Sequence, residues 1–109
     1  MGPEIQPFNF PEEVEGVQLL QVMCTVIKGD DPVTIQWIKD GSPLQPSSLF
    51  MINEVSSRMS LLILSKVGSH HSGNYTCNAF NTVGQAMYST ELRVKGNQIE
   101  NYKKNYIFY

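Results

Sequence analysis

Seven consecutive residues, His71-Ser72-Gly73-Asn74-Tyr75-Thr76-Cys77, constrain what this chain can fold into more than any other stretch. Tyr75 and Cys77 stand two positions apart, so an extended strand places them on one face and turns Asn74 and Thr76 to the other. A glycine lies two residues before the tyrosine. Earlier in the chain stand Cys24 and, thirteen positions after it, Trp37. Type, order and spacing together select a narrow class of all-β chains.

The pattern resembles the tyrosine corner that leads into strand F of an immunoglobulin-like β-sandwich. The resemblance implies that the Tyr75 hydroxyl ties back to the backbone across the preceding turn. It implies that Cys77 bridges to Cys24 on strand B, and that Trp37 packs on the bridge from strand C. Such a disulfide would close a loop of roughly 54 residues, worth about 4 kcal/mol in the chain-entropy model. It also belongs to an oxidising, extracellular compartment. Two reduced core cysteines, as in intracellular muscle-type domains of this fold, are the alternative.

With 109 residues the chain is the size of one such module, and 41% hydrophobic residues allow a small core. A formal charge of −2 supplies no basic field for nucleic acid or for direct binding to an anionic membrane. No secretory signal or membrane-spanning run is visible. Met1-Gly2 reads as an artificial start, and the chain as one module cut from a longer, membrane-anchored cell-surface protein. The domain is expected over residues 3–95.

In order, Pro3 to Pro11 is an extended edge segment broken by prolines, which cannot donate to a ladder. It reads as strand A switching to A′. After a turn at Glu15-Gly16, strand B runs from Gln18 to Ile27, with Leu20, Val22, Cys24 and Val26 inward. Strand C is expected at Thr34 to Lys39 with Ile35 and Trp37 inward. Asp40-Gly41 is a tight turn, and Ser42 to Pro46 carries the chain to the other sheet. Strand D covers Leu49 to Glu54, with Phe50 and Ile52 inward, and strand E covers Met59 to Lys66. In strand E the run Leu61-Leu62-Ile63-Leu64 is apolar on both faces; the spacing back from an inward Val67 selects Leu62 and Leu64 as core. Strand F takes Asn74 to Phe80 and strand G Gln85 to Val94. The spacing between C and D is too short for a variable-type domain. An intermediate (I) set sandwich is therefore expected, with antiparallel A-B-E-D and A′-G-F-C sheets.

Residues 96–109 follow the expected end of the domain, with two lysines among four aromatics. Their types suit a membrane surface or stacked bases, but they read as an unstructured or artificially appended tail, or a linker remnant.

Little supports catalysis. His70, His71 and Ser72 are adjacent in sequence, whereas a triad converges in space with an acidic orienter and an oxyanion hole. No His/Cys/Asp cluster has metal-ligand spacing, so no metal or cofactor is expected. Asn74-Tyr75-Thr76 is the only Asn-x-Ser/Thr sequon and is a glycosylation candidate.

The outward positions of the A-B-E-D sheet are more informative. They collect Met23, Ile27, Met51, Met59, Leu61 and Ile63 among Gln21, Thr25, Asn53 and Ser65. Contiguous apolar patches of this kind mark partner surfaces, and methionine repacks readily in them. A one-residue shift in the register of strand E, or cover by the A strand or a neighbouring domain, is the plainer alternative.

Beyond the general pattern, Pro3-Glu4-Ile5-Gln6-Pro7-Phe8-Asn9-Phe10, Trp37-Ile38-Lys39-Asp40-Gly41 and the stretch from His71 to Cys77 are similar to the arthropod Dscam family, and the chain resembles a variable domain of the kind chelicerate short Dscams carry. His71 stands where most immunoglobulin domains carry an acid, and agrees with Dscam. The resemblance implies a cell-surface module that binds an identical copy on an opposing membrane, as a homodimer through a self-complementary face. A domain binding a different ligand and a structural spacer are the rival expectations.

Overall fold

A computed structural model of the chain describes residues 1–15 and 19–95. Among them are strands β1 (Glu4–Ile5), β2 (Leu20–Lys28), β3 (Thr34–Lys39), β4 (Ser42–Pro43), β5 (Phe50–Ser56), β6 (Met59–Leu64), β7 (Gly73–Phe80) and β8 (Gln85–Leu92). They form two four-stranded antiparallel sheets, ordered β1-β2-β6-β5 and β4-β3-β7-β8. Val14 joins Val94 in a parallel bridge, which carries the segment after β1 across to the second sheet. The expected A-to-A′ switch and both expected sheets are thus present.

Strand alternation builds the core. Val22, Cys24 and Val26 of β2 face Tyr75, Cys77 and Ala79 of β7, and all six are buried. In β6, Leu62 and Leu64 have 0% exposure. The register chosen from the spacing to Val67 is the register observed. A one-residue slip would have exchanged the two faces of this strand.

Four residues pin the sheets together. Cys24 pairs with Ser60 on the first sheet, and Trp37 pairs with Cys77 on the second. A Cys24–Cys77 disulfide spans the gap, with Cα atoms 6.4 Å apart. Beside it the buried Trp37 Nε1–H donates to Ser60 Oγ at 2.9 Å. Phe8 packs edge-on to Trp37, with ring centres 5.7 Å apart.

Several strand limits differ from expectation. A bulge between Glu54 and Ser56 lets β5 continue its pairing as far as Ser56 opposite Met59. Strand β6 stops at Leu64, and Lys66, at φ 51°, has left the extended conformation. Strand β8 ends at Leu92, because Val94 is taken by the bridge to Val14. Ser42-Pro43 does not cross to the other sheet at once but pairs with β3 as β4. Asp40 and Gly41, at φ 50° and 85°, form the two-residue turn that folds it back. The expected start of strand B at Gln18, the Gly16 turn and the tail 96–109 lie outside the described residues.

Replacing Ser60 with alanine would leave the buried Trp37 N–H without its acceptor. The expected loss is about 1–3 kcal/mol in urea unfolding. In a Trp37→Phe background, which has no N–H to satisfy, the cost of Ser60→Ala should shrink markedly. Equal costs in both backgrounds would refute the pairing.

Candidate functional site

Strand β6 lies between β2 and β5, so its outward side chains form the middle row of the first sheet's outer face. Registers define three rungs across it: Gln21–Ile63–Met51, Met23–Leu61–Asn53 and Thr25–Met59–Ser56. Diagonal neighbours on one sheet face lie close enough for long side chains to touch. An apolar diagonal therefore runs from Met51 through Ile63 and Leu61 to Met23, flanked by Gln21, Asn53 and Thr25. Met51 is 43% exposed, while Met23, Met59, Leu61 and Ile63 are half-buried.

None of the nine rung residues carries a charge. Charges gather at the margin instead. Lys28 and Glu4 pair at 3.9 Å on the β1 edge, and Arg58 binds Asp31 at 3.0 Å on the loop side. The exposed Ile27 extends the patch toward β1. Ser65 differs from the other candidates, because its hydroxyl donates to the Ser48 carbonyl at 2.8 Å and so braces the turn into β5. Val55, 51% exposed in the bulge, adds an apolar group beside the face. No alternation pattern identifies a bulge residue, which explains why the sequence alone misses it.

The second sheet's outer face is more polar but has an apolar end. Its rungs are Thr34–Phe80–Gln85, Gln36–Asn78–Met87 and Ile38–Thr76–Ser89. Phe80, Val83 and Met87 are exposed at the β7–β8 turn and were not singled out by sequence. Asn78 is only 8% exposed. Asn74 stands at the opposite end of β7, exposed, with its backbone N–H donating to Asp40 Oδ1 at 2.8 Å.

His71 and Ser72 serve the corner before β7, and the exposed His70 packs its ring on His71. The Tyr75 hydroxyl donates to the His71 carbonyl at 2.5 Å, which is the expected tie across the turn. The fully buried His71 ring accepts the Gly68 N–H at Nδ1, 3.0 Å away, and packs on Phe50. Ser72 Oγ accepts the Val94 N–H at 3.1 Å. These groups are spent on structure and do not converge on a cleft. Burial, and the negative Asp40 next, push the Tyr75 hydroxyl far above its ordinary pKa. The Asn74 N–H and then Lys39 hold the Asp40 carboxyl below its usual range. Among the described residues no group of three or more His, Cys, Asp or Glu side chains is placed to hold a metal ion.

Comparison with known proteins agrees with this fold. The immunoglobulin I-set domain family matches residues 6–94. The rat cell adhesion molecule DSCAM is 40% identical over 93 residues, which cover 85% of this chain. Drosophila melanogaster Dscam2 is 36% identical over 96 residues, with the same coverage. The chain spans 4% of the length of either relative. The crystal structure of the Dscam1 Ig7 domain, isoform 5, superposes with a TM-score of 0.83 at 32% identity, covering 86% of this chain and 97% of that one.

Burial first, and the adjacent His70 next, lower the His71 pKa from its ordinary 6.5, with the backbone of Leu49 and Gly68 offsetting part of the effect. The folded state therefore resists a proton that the unfolded chain accepts. Its contribution to stability is intact above pH 6.5 and declines as the pH falls below that value. Thermal unfolding midpoints should drop as the pH falls from about 6.5 to about 5.5, and His71→Gln should flatten that drop. The Asp40 contribution is lost only below pH 3.8, outside this window. An unchanged slope in His71→Gln would assign the effect to another group.

Proposed function

This chain belongs to the immunoglobulin I-set family and is related to the Dscam cell adhesion molecules, and from that premise we propose that it is an extracellular recognition domain that binds an identical copy of itself. The contact is the outer face of β1-β2-β6-β5, met by the same face of a second molecule about a two-fold axis. The parent protein is anchored in a membrane, and the two copies stand on opposing cells.

The observation that carries this reading is the uncharged, apolar centre of the face within a charged margin. In a two-fold contact every group near the axis meets its own image. A charge there would face a like charge, whereas Leu61, Ile63 and Met23 meet their images without penalty. Gln21, Asn53 and Thr25 beside them are uncharged polar groups that bond only in a fitting register. They and the marginal charges discriminate against non-identical copies, which present clashes or unpaired polar groups. Weak affinity per domain suffices, because many copies act together between two membranes. A different protein docking on Phe80, Val83 and Met87 is the competing reading, favoured by the exposure of those side chains.

Sedimentation equilibrium separates the two. The wild type should show a concentration-dependent dimer. The double substitution Met51→Asp with Leu61→Asp should weaken it at least tenfold, about 1.4 kcal/mol or more, with the circular dichroism spectrum unchanged. Met87→Asp should leave the dimer intact. A wild type that remains monomeric at the highest concentration would remove self-recognition by this chain. A dimer lost only in Met87→Asp would move the contact to the second sheet.

A further inference from the structure

We propose that Asn74 carries an N-linked oligosaccharide, which covers one end of the outer face of the β4-β3-β7-β8 sheet. This goes beyond self-recognition, and it shares with that reading only the extracellular setting.

Asn74-Tyr75-Thr76 is the chain's one sequon, and the fold leaves its acceptor amide free. Tyr75 is buried with its hydroxyl fixed on the His71 carbonyl, so both flanking residues of the sequon turn outward on the same face. The Asn74 backbone is held on both sides: its N–H donates to Asp40 Oδ1 at 2.8 Å, and its carbonyl accepts the Asp40 N–H at 2.9 Å. Its carboxamide has no hydrogen-bond partner among the described residues and is exposed. On one flank β3 has already ended opposite Tyr75, and only the Asp40-Gly41 turn stands beside Asn74. On the other flank its partner is the exposed Glu91. Asn78 makes the contrast. It shares the strand and face, is 8% exposed between Gln36 and Met87, and begins no sequon.

The donor is an oligosaccharide linked through pyrophosphate to a polyprenyl lipid. Asn74 Nδ2 forms a bond to C1 of the first sugar as the C1–oxygen bond to pyrophosphate breaks. The pyrophosphate leaves with that electron pair, and the amide gives up one proton. Once attached, the sugar lies over Thr76 and Ser89, whose hydroxyls are paired at 2.7 Å. Phe80 lies six residues along β7, about 20 Å away. The sugar projects away from the first sheet, whose outer face stays clear on the opposite side of the sandwich.

The test is to secrete the whole chain from cultured mammalian cells behind a cleaved signal peptide and to measure its intact mass with and without peptide-N-glycosidase. The expected result is a heavier species that collapses to the polypeptide mass on treatment. Asn74→Gln and Thr76→Ala should each be secreted at the bare mass, and Thr76→Ser should keep the sugar. Bare wild-type protein, or sugar retained on folded Thr76→Ala, would overturn the assignment. Mass reports occupancy regardless of self-association, so failure here and failure of the dimer are distinguishable.

Discussion

The two crosslinks at the centre of the sandwich hold the rest of the structure in place. Cys24 and Ser60 are neighbours on one sheet, Trp37 and Cys77 on the other, and each pair reaches across to the other sheet. The disulfide joins β2 to β7, and alongside it the Trp37–Ser60 hydrogen bond joins β3 to β6. The buried Trp37 N–H is thereby satisfied, and its indole lies beside Cys77, its neighbour across β3 and β7. A buried N–H left unpaired would cost more than the bond itself contributes, so Ser60 matters beyond its size.

Because the centre fixes which residues of β2 and β6 face inward, it also fixes what they show outside. Inward Cys24 and Ser60 dictate outward Met23, Thr25, Met59 and Leu61. The composition of the outer face is thus a by-product of core register, and residues on it can vary without disturbing the pins beneath. That separation suits a module whose relatives are adhesion molecules. The same logic holds at the loops, where single polar side chains organise distant segments. Asn81 accepts the N–H groups of Val83 and Gly84 and donates to the carbonyls of Met1 and Asp30, tying the β7–β8 turn to the chain start and the β2–β3 loop.

Sequence pattern alone specified every strand but β4, the inward residues and the corner, because period-two alternation and the spacing of Cys24, Trp37, Tyr75 and Cys77 leave few ways to bury them together. It also determined the outward positions of β2 and β6, since these follow from the inward ones. What it did not contain was the pairing of residues remote in the chain. Ser60 as the acceptor for Trp37, Val55 as a bulge, Ser65 as a brace for Ser48 and the apolar cluster of Phe80, Val83 and Met87 were decided only by tertiary structure. A polar side chain's partner and a bulge's position depend on how two strands meet, which no local pattern encodes. Likewise the sequon is local, but the open flank beside Asn74 exists only because β3 ends one residue earlier on the neighbouring strand.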